Sequence, residues 1–265
     1  MYMFSSLGRY VRACFSSAFV AGVYLFLYTP IVVLVIFSFN SASFPAPWSG
    51  FTLFWYKQLF LSTPIIHALY TSLIVAVSAT ALSLAMTLGV IYYHVMVRPL
   101  NFLLTLFYGN VLVPEVVLAV GLLSFLSFFS IPLGIPTLIV AHTVLGLGYA
   151  VPIVVMRLTE IDSRLTEASL DLGATPAQTF VKITLPLLAP ALIAAGLLIF
   201  IISFDDFILS FFCAGSTATT LSLYIFGMLK SGISPVVNAL SSLLLVMSSI
   251  LVLIFCSLNI KTRIF

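Results

Sequence analysis

Six stretches of the chain, approximately residues 18–39, 68–93, 101–129, 137–156, 187–212 and 236–258, are apolar runs of about 20 residues or more. A helix rising about 1.5 Å per residue needs that length to cross about 30 Å of hydrocarbon. Only 6% of the 265 residues are charged and 62% are hydrophobic, against about 25% charged in a soluble domain, so the solvent of these runs is lipid. The same figures exclude disorder, which needs low hydrophobicity and high charge, and nucleic-acid binding, which needs a basic face. Turn residues separate the runs: Pro45, Pro47, Gly50 and Pro64, then Arg98-Pro99, then Ile131 to Pro136, then a charged loop at 157–186, then 214–235. The expectation is one all-α transmembrane domain over residues 1–265.

Orientation follows from the loop cations. With the N-terminus inside, Arg9, Arg12, Arg98, Arg157, Arg164, Lys182, Lys261 and Arg263 lie on the inner side, and only Lys57 and Lys230 lie outside. Both termini are therefore expected in the cytoplasm. The first run is too long for the h-region of a signal peptide and reads as a retained helix. The outer segment 51–60, rich in Phe, Trp and Tyr, is too short to span and is expected to lie flat at the headgroup level.

Cys14, Cys213 and Cys256 have no C-x-x-C spacing and read as small apolar fillers, with neither metal nor disulfide implied. No phosphate loop of the G-x-x-x-x-G-K-[ST] kind occurs, and neither do H-E-x-x-H or G-x-S-x-G. The chain thus offers no catalytic site and no cofactor site. Any ATP-derived energy has to come from a partner chain.

The loop at 157–186 holds four of the seven acids (Glu160, Asp162, Glu167, Asp171) with Arg157, Arg164 and Lys182. Its pattern predicts two short helices, the first over about 159–172 and ended by Gly173. The second opens at Thr175 as cap, with Pro176 in the first helical position and Gln178 completing a capping box. Phe180, Ile183 and Leu187 fall on one face and suit a groove on a partner, while Pro186 and Pro190 are expected to redirect the chain into the membrane.

Within this loop, Glu167-Ala168-Ser169, three residues, Gly173, nine residues and Ile183-Thr184-Leu185-Pro186 resemble the EAA loop of ABC-type importer permeases, with Ser169 replacing the second alanine. The resemblance implies the type I importer (MetI-like) architecture of six transmembrane helices in the bacterial inner membrane. Glu167, Ala168, Ser169, Gly173, Ile183, Leu185 and Pro186 would then couple to a cytoplasmic ATPase dimer. It also implies a second homologous permease subunit and a periplasmic binding protein. Further segments resemble polyamine (spermidine/putrescine) importer permeases of the PotC type: Tyr24 to Pro30, Ser38-Phe39-Asn40-Ser41, Gly50-Phe51-Thr52, Trp55-Tyr56, Pro114-Glu115, Ser203-Phe204-Asp205-Asp206, Gly232 to Pro235 and Asn238-Ala239-Leu240. Glu115 stands where that pattern has Asp.

A cationic substrate has separate support. Glu115, Asp205 and Asp206 are the acids inside the spans, no Lys or Arg lies mid-span beside them, and intramembrane acids are functional candidates by default. Counting along straight helices places all three at one level. Pro114 is expected to kink the third helix and free a carbonyl there. Consecutive helical residues point about 100° apart, so one of Asp205 and Asp206 faces away from the path; the sequence does not choose between them. Glu115 bonded in protonated form to a neighbouring helix is the structural alternative. His67, His94 and His142 are read as interfacial or packing residues near span ends, and Gly146, Gly148 and Gly196 as sites of close helix packing. An importer of another solute (ferric ion, an amino acid), or a secondary carrier using the three acids as proton or sodium sites, are the competing readings.

Overall fold

The computed structural model describes residues 2–42, 47–231 and 235–262, with side chains for 19–42, 47–230 and 235–250. The turn at Pro45, the Gly232 to Ser234 segment, Arg263 and the side chains of Arg9, Arg12, Cys14, Cys256 and Lys261 lie outside that description. The described residues form helices and connecting turns, with one isolated antiparallel bridge between Asn40 and Phe51 and no strand. Two compact units emerge, Met1–Thr63 with Gly227–Phe265, and Pro64–Phe226.

In the first unit α12 (Pro235–Thr262) packs on α1 (Tyr2–Phe37) and on α2 (Phe54–Leu61). The segments quoted above from residues 38–56 meet in one clasp after α1. Asn40 is wholly buried, its Oδ1 accepting from the Ser49 N–H at 2.8 Å and its carbonyl from the Trp55 indole N–H at 2.8 Å. Phe39 stacks on Phe51, and Ser38 Oγ lies 2.7 Å from the Tyr56 hydroxyl. Gly50, at φ +142°, supplies the backbone that brings its carbonyl to the Ser41 N–H.

The second unit is built around α6 (Ile135–Thr159), which packs against α4 (Asn101–Leu112), α5 (Glu115–Phe128), α9 (Leu185–Asp205) and α10 (Ile208–Cys213). Its glycines permit this. A Cβ on Gly146 would stand 2.9 Å from Ile199 Cγ2, and one on Gly148 would stand 2.7 Å from Asn110 Nδ2. A Cβ on Gly196 of α9 would likewise stand 3.0 Å from Leu84 Cδ1 of α3 (Thr63–Met96). The glycine reading therefore holds: in lipid, where apolar contact with a neighbour is no better than contact with a tail, helices associate by close packing. One apolar cluster gathers Val75, Ala119, Leu138, Ala141 and Leu209, and another gathers Ile91, Leu104, Leu147, Val151 and Leu188.

Four of the described helices are long and apolar enough to cross a bilayer: 19–37, Thr63–Met96, Ile135–Thr159 and the run Pro176–Asp205. The pair α4 and α5 makes a fifth if counted as one broken span. The kink expected at Pro114 is a full break, the two segments bending by 113°. Pro114 has no N–H to donate and biases the preceding residue away from helix, so Val113 (ψ 126°) and Pro114 (ψ 134°) are both extended. The expected fifth span, 187–212, is also two pieces. Asp206 (ψ 130°) ends α9, and α10 starts at Ile208.

Candidate functional site

Both helix breaks put an acid at a helix start. Glu115 is the first residue of α5, and Asp206 folds back over the N-terminus of α10, Oδ2 accepting from the Ser210 N–H at 2.9 Å and Oδ1 from the Leu209 N–H at 3.4 Å. The chain needs such an acceptor, because the first N–H groups of a helix have no intrahelical partner and the membrane offers no water to satisfy them. Glu115 and Asp206 are side-chain neighbours, and Asp205 immediately precedes Asp206 in the chain. The three acids come together as expected, through two broken helices instead of equal heights on straight ones.

Their environments differ. Asp206 is buried, Glu115 is half-buried and Asp205 is exposed. Glu115 borders a cavity of about 270 Å³ whose polar lining includes Asn110 and Tyr149, with apolar walls from Val111, Leu145 and Ile202. The Asn110 amide donates to the Val144 carbonyl at 2.9 Å, which fixes α4 against α6 beside Gly148. A carboxyl, a phenol and alkyl walls suit an alkylammonium group.

His142, read from the sequence as an interfacial or packing residue, packs. It is wholly buried two turns into α6. Its Nδ1 is 2.9 Å from Ser203 Oγ, and its Nε2 is 3.5 Å from both Asp206 Oδ2 and Ser210 Oγ. The rule that any ionisable residue inside a span is a functional candidate covers histidine as well as acids, and would have found it. His94 instead accepts the Leu100 N–H at 2.9 Å across the turn after α3, and His67 is exposed. Asn110 and Tyr149 carry no sequence signal, being ordinary residues made relevant by what they face.

The 157–186 loop follows its caps. α6 persists to Thr159, so the first loop helix, α7 (Ser163–Asp171), is shorter than expected and is capped by Asp162, whose carboxylate accepts from the Arg164 N–H at 3.0 Å. Gly173 has φ +86°, and the bonds Gly173 N–H to Leu170 O (2.9 Å) and Ala174 N–H to Ser169 O (3.1 Å) close a Schellman turn. Thr175 and Gln178 form the reciprocal capping box of α8 (Pro176–Thr179), at 2.9 and 3.2 Å. Ser169, the departure from the EAA pattern, bonds Thr179 at 3.0 Å and ties the two arms together.

Two further expectations are corrected. Pro186 does not turn the chain. A π-helical stretch at Phe180–Thr184 carries α8 into α9, and the wide turn's bond from Leu185 N–H to the Phe180 carbonyl bypasses the missing donor. Phe180 is not offered to a partner either. It is buried edge-on against Tyr92 in the unit's own core, leaving Leu165, Leu170, Leu172 and Val181 as the loop's large exposed apolar residues. Glu167 is exposed and Ile183 is half-buried. Among the described residues no cluster of His, Cys, Asp and Glu could hold a metal ion.

Comparison with known proteins agrees with this architecture. The family model described as "Binding-protein-dependent transport system inner membrane component" matches residues 80–264. The chain is 37% identical over 249 residues to the spermidine/putrescine transport system permease protein PotC of Escherichia coli K12, covering 93% of each. It is 34% identical over 236 residues to the putrescine transport system permease protein PotI of the same strain, covering 84% of this chain and 82% of the relative. Among solved structures, a chain of a bacterial ABC transporter involved in import of the acidic polysaccharide alginate superposes with a TM-score of 0.68 at 18% identity, over 97% of both chains. At that identity the likeness speaks for the fold alone.

Proposed function

Because this chain belongs to the family of binding-protein-dependent transport system inner membrane components, we propose that it is a permease subunit of an ATP-driven importer of polyamines, of the spermidine and putrescine class. It is a multi-pass protein of the bacterial inner membrane and a transporter subunit, not an enzyme. One transmembrane domain carries six spans with both termini cytoplasmic: α1, α3, the broken pair α4 and α5, α6, α9 and α12. A second homologous permease completes the path, a periplasmic binding protein delivers the polyamine, and a cytoplasmic ATPase dimer supplies the energy.

The observation that carries the substrate reading is Glu115 bordering a cavity with no basic residue in its lining. Glu115 is the first acceptor for the passing ammonium groups, with exposed Asp205 as a second, while Asp206 acts on the path from behind. Conduction needs binding strong enough to replace hydration and weak enough to release, and one half-buried carboxyl meets both demands. On the inner side Glu167, Ala168, Ser169, Gly173, Ile183, Leu185 and Pro186 form the coupling element. The Schellman turn and capping box fix the angle between its arms, so that ATP-driven closure of the partner moves α9.

The deciding experiment is radiolabelled spermidine and putrescine uptake, at matched expression, by the assembled importer and its Glu115→Gln variant, beside polyamine binding to the isolated periplasmic protein. The expected result is slowed uptake with unchanged binding. Wild-type uptake in the variant removes Glu115 from the path. Transport of ferric ion or an amino acid in place of polyamine replaces the substrate class.

A further inference from the structure

We propose that His142 is a positioning residue of the transport path, holding Asp206 on the α10 side of the helix break so that the neighbouring Glu115 is the carboxyl presented to the cavity. The proposal rests on the reading of Glu115 as a station for ammonium groups. His142 spans the break, with Ser203 before it bonded to Nδ1 and Asp206 and Ser210 after it facing Nε2. No Lys or Arg occurs in α5, α9 or α10, nor in α6 before Arg157, so the ring is the basic side chain these helices supply beside Asp206.

The hydrogen positions follow from the partners. Both oxygens of Asp206 already accept N–H bonds from α10, which marks this carboxyl as the acceptor and puts the ring proton on Nε2, facing it. In the neutral ring Nδ1 then accepts from the Ser203 hydroxyl. Without the ring, nothing opposes Asp206 on that side, and two neighbouring carboxyls compete for the same approaching ammonium. With it, their roles separate: Asp206 is occupied at 2% side-chain exposure, and Glu115 faces the cavity.

Two near-isosteres separate the ring's bonds. Glutamine reaches the place of Nε2 and keeps a donor toward Asp206; asparagine reaches only the place of Nδ1 and keeps the Ser203 bond. In proteoliposomes holding the whole importer and its binding protein, His142→Gln should import labelled spermidine within about twofold of wild type, and His142→Asn should lose about tenfold, the size of one lost bond to a charged group. ATP hydrolysed per spermidine imported should rise in the asparagine variant, whereas a general loss of folded protein lowers both rates together. The Asp206→Asn change should add no further loss to His142→Asn. Equal behaviour of the Gln and Asn variants, or multiplying losses in the double variant, overturns the proposal.

The same pairwise cycle read in the unfolding temperature of the purified complex needs no substrate. Non-additive shifts support the His142–Asp206 pairing and additive shifts overturn it. A wild-type complex that imports no polyamine refutes the substrate reading and leaves this second cycle to decide on His142.

Discussion

The cluster at the helix breaks and the 157–186 loop are both polar elements in an apolar chain, yet they are held in opposite ways. In the loop the defining bonds are local: Asp162 to Arg164, Thr175 to Gln178, Gly173 to Leu170. In the cluster, the bonds of His142 reach residues 61 and 68 positions away. The loop faces water, which satisfies whatever a cap misses. The buried members of the cluster, His142 and Asp206, have only protein groups to bond, so each is obligatory to the other.

That difference can be broken first at Asp206. Asp206→Ala orphans the Ser210 and Leu209 N–H groups and the His142 ring, at about 1–3 kcal/mol for each unpaired donor. We expect the largest fall in unfolding temperature of the purified complex from this variant. Asp205→Asn, one residue earlier and exposed, should leave the unfolding temperature unchanged while slowing uptake. Equal stability losses at the two positions would erase the distinction between a structural and a path-facing aspartate.

Phe180→Ala probes where the loop borrows from the core. Loss of a buried Phe costs about 3–5 kcal/mol, so detergent-solubilised protein should unfold earlier and limited proteolysis should cut the loop sooner. Undiminished resistance would mean that the caps alone hold it.

Smaller effects test the caps. No atom lies within 4 Å of a Cβ placed on Gly173, so Gly173→Val costs only backbone strain, about 1–2 kcal/mol. Insertion should be normal and ATPase co-purification should fall, while Gly173→Asn, which tolerates the left-handed region, should lose far less. A valine variant that couples normally removes the turn from the mechanism. Thr175→Ala should cost about 1 kcal/mol, seen as faster amide exchange at Gln178 with transport reduced least of all.

The contrast also explains what was legible in advance. The Schellman glycine, the capping box and the EAA spacing were readable because each depends on residues within a few positions, where backbone geometry is set by neighbours. Pro114 announced a break for the same reason. Its 113° size was not readable, because nothing local fixes where α5 comes to rest.

The sequence by itself determined a lipid-embedded helical protein, the capped loop that we propose meets the ATPase, and the three intramembrane acids, since hydropathy, charge and cap chemistry are properties of short segments. Only the tertiary structure decided that Asp206 is buried against His142 while Glu115 borders the cavity, and that Phe180 packs inward. Those outcomes depend on which helices approach across α6 and how closely its glycines let them come. In a medium without water, that proximity decides which polar group finds a partner and which is left for the substrate.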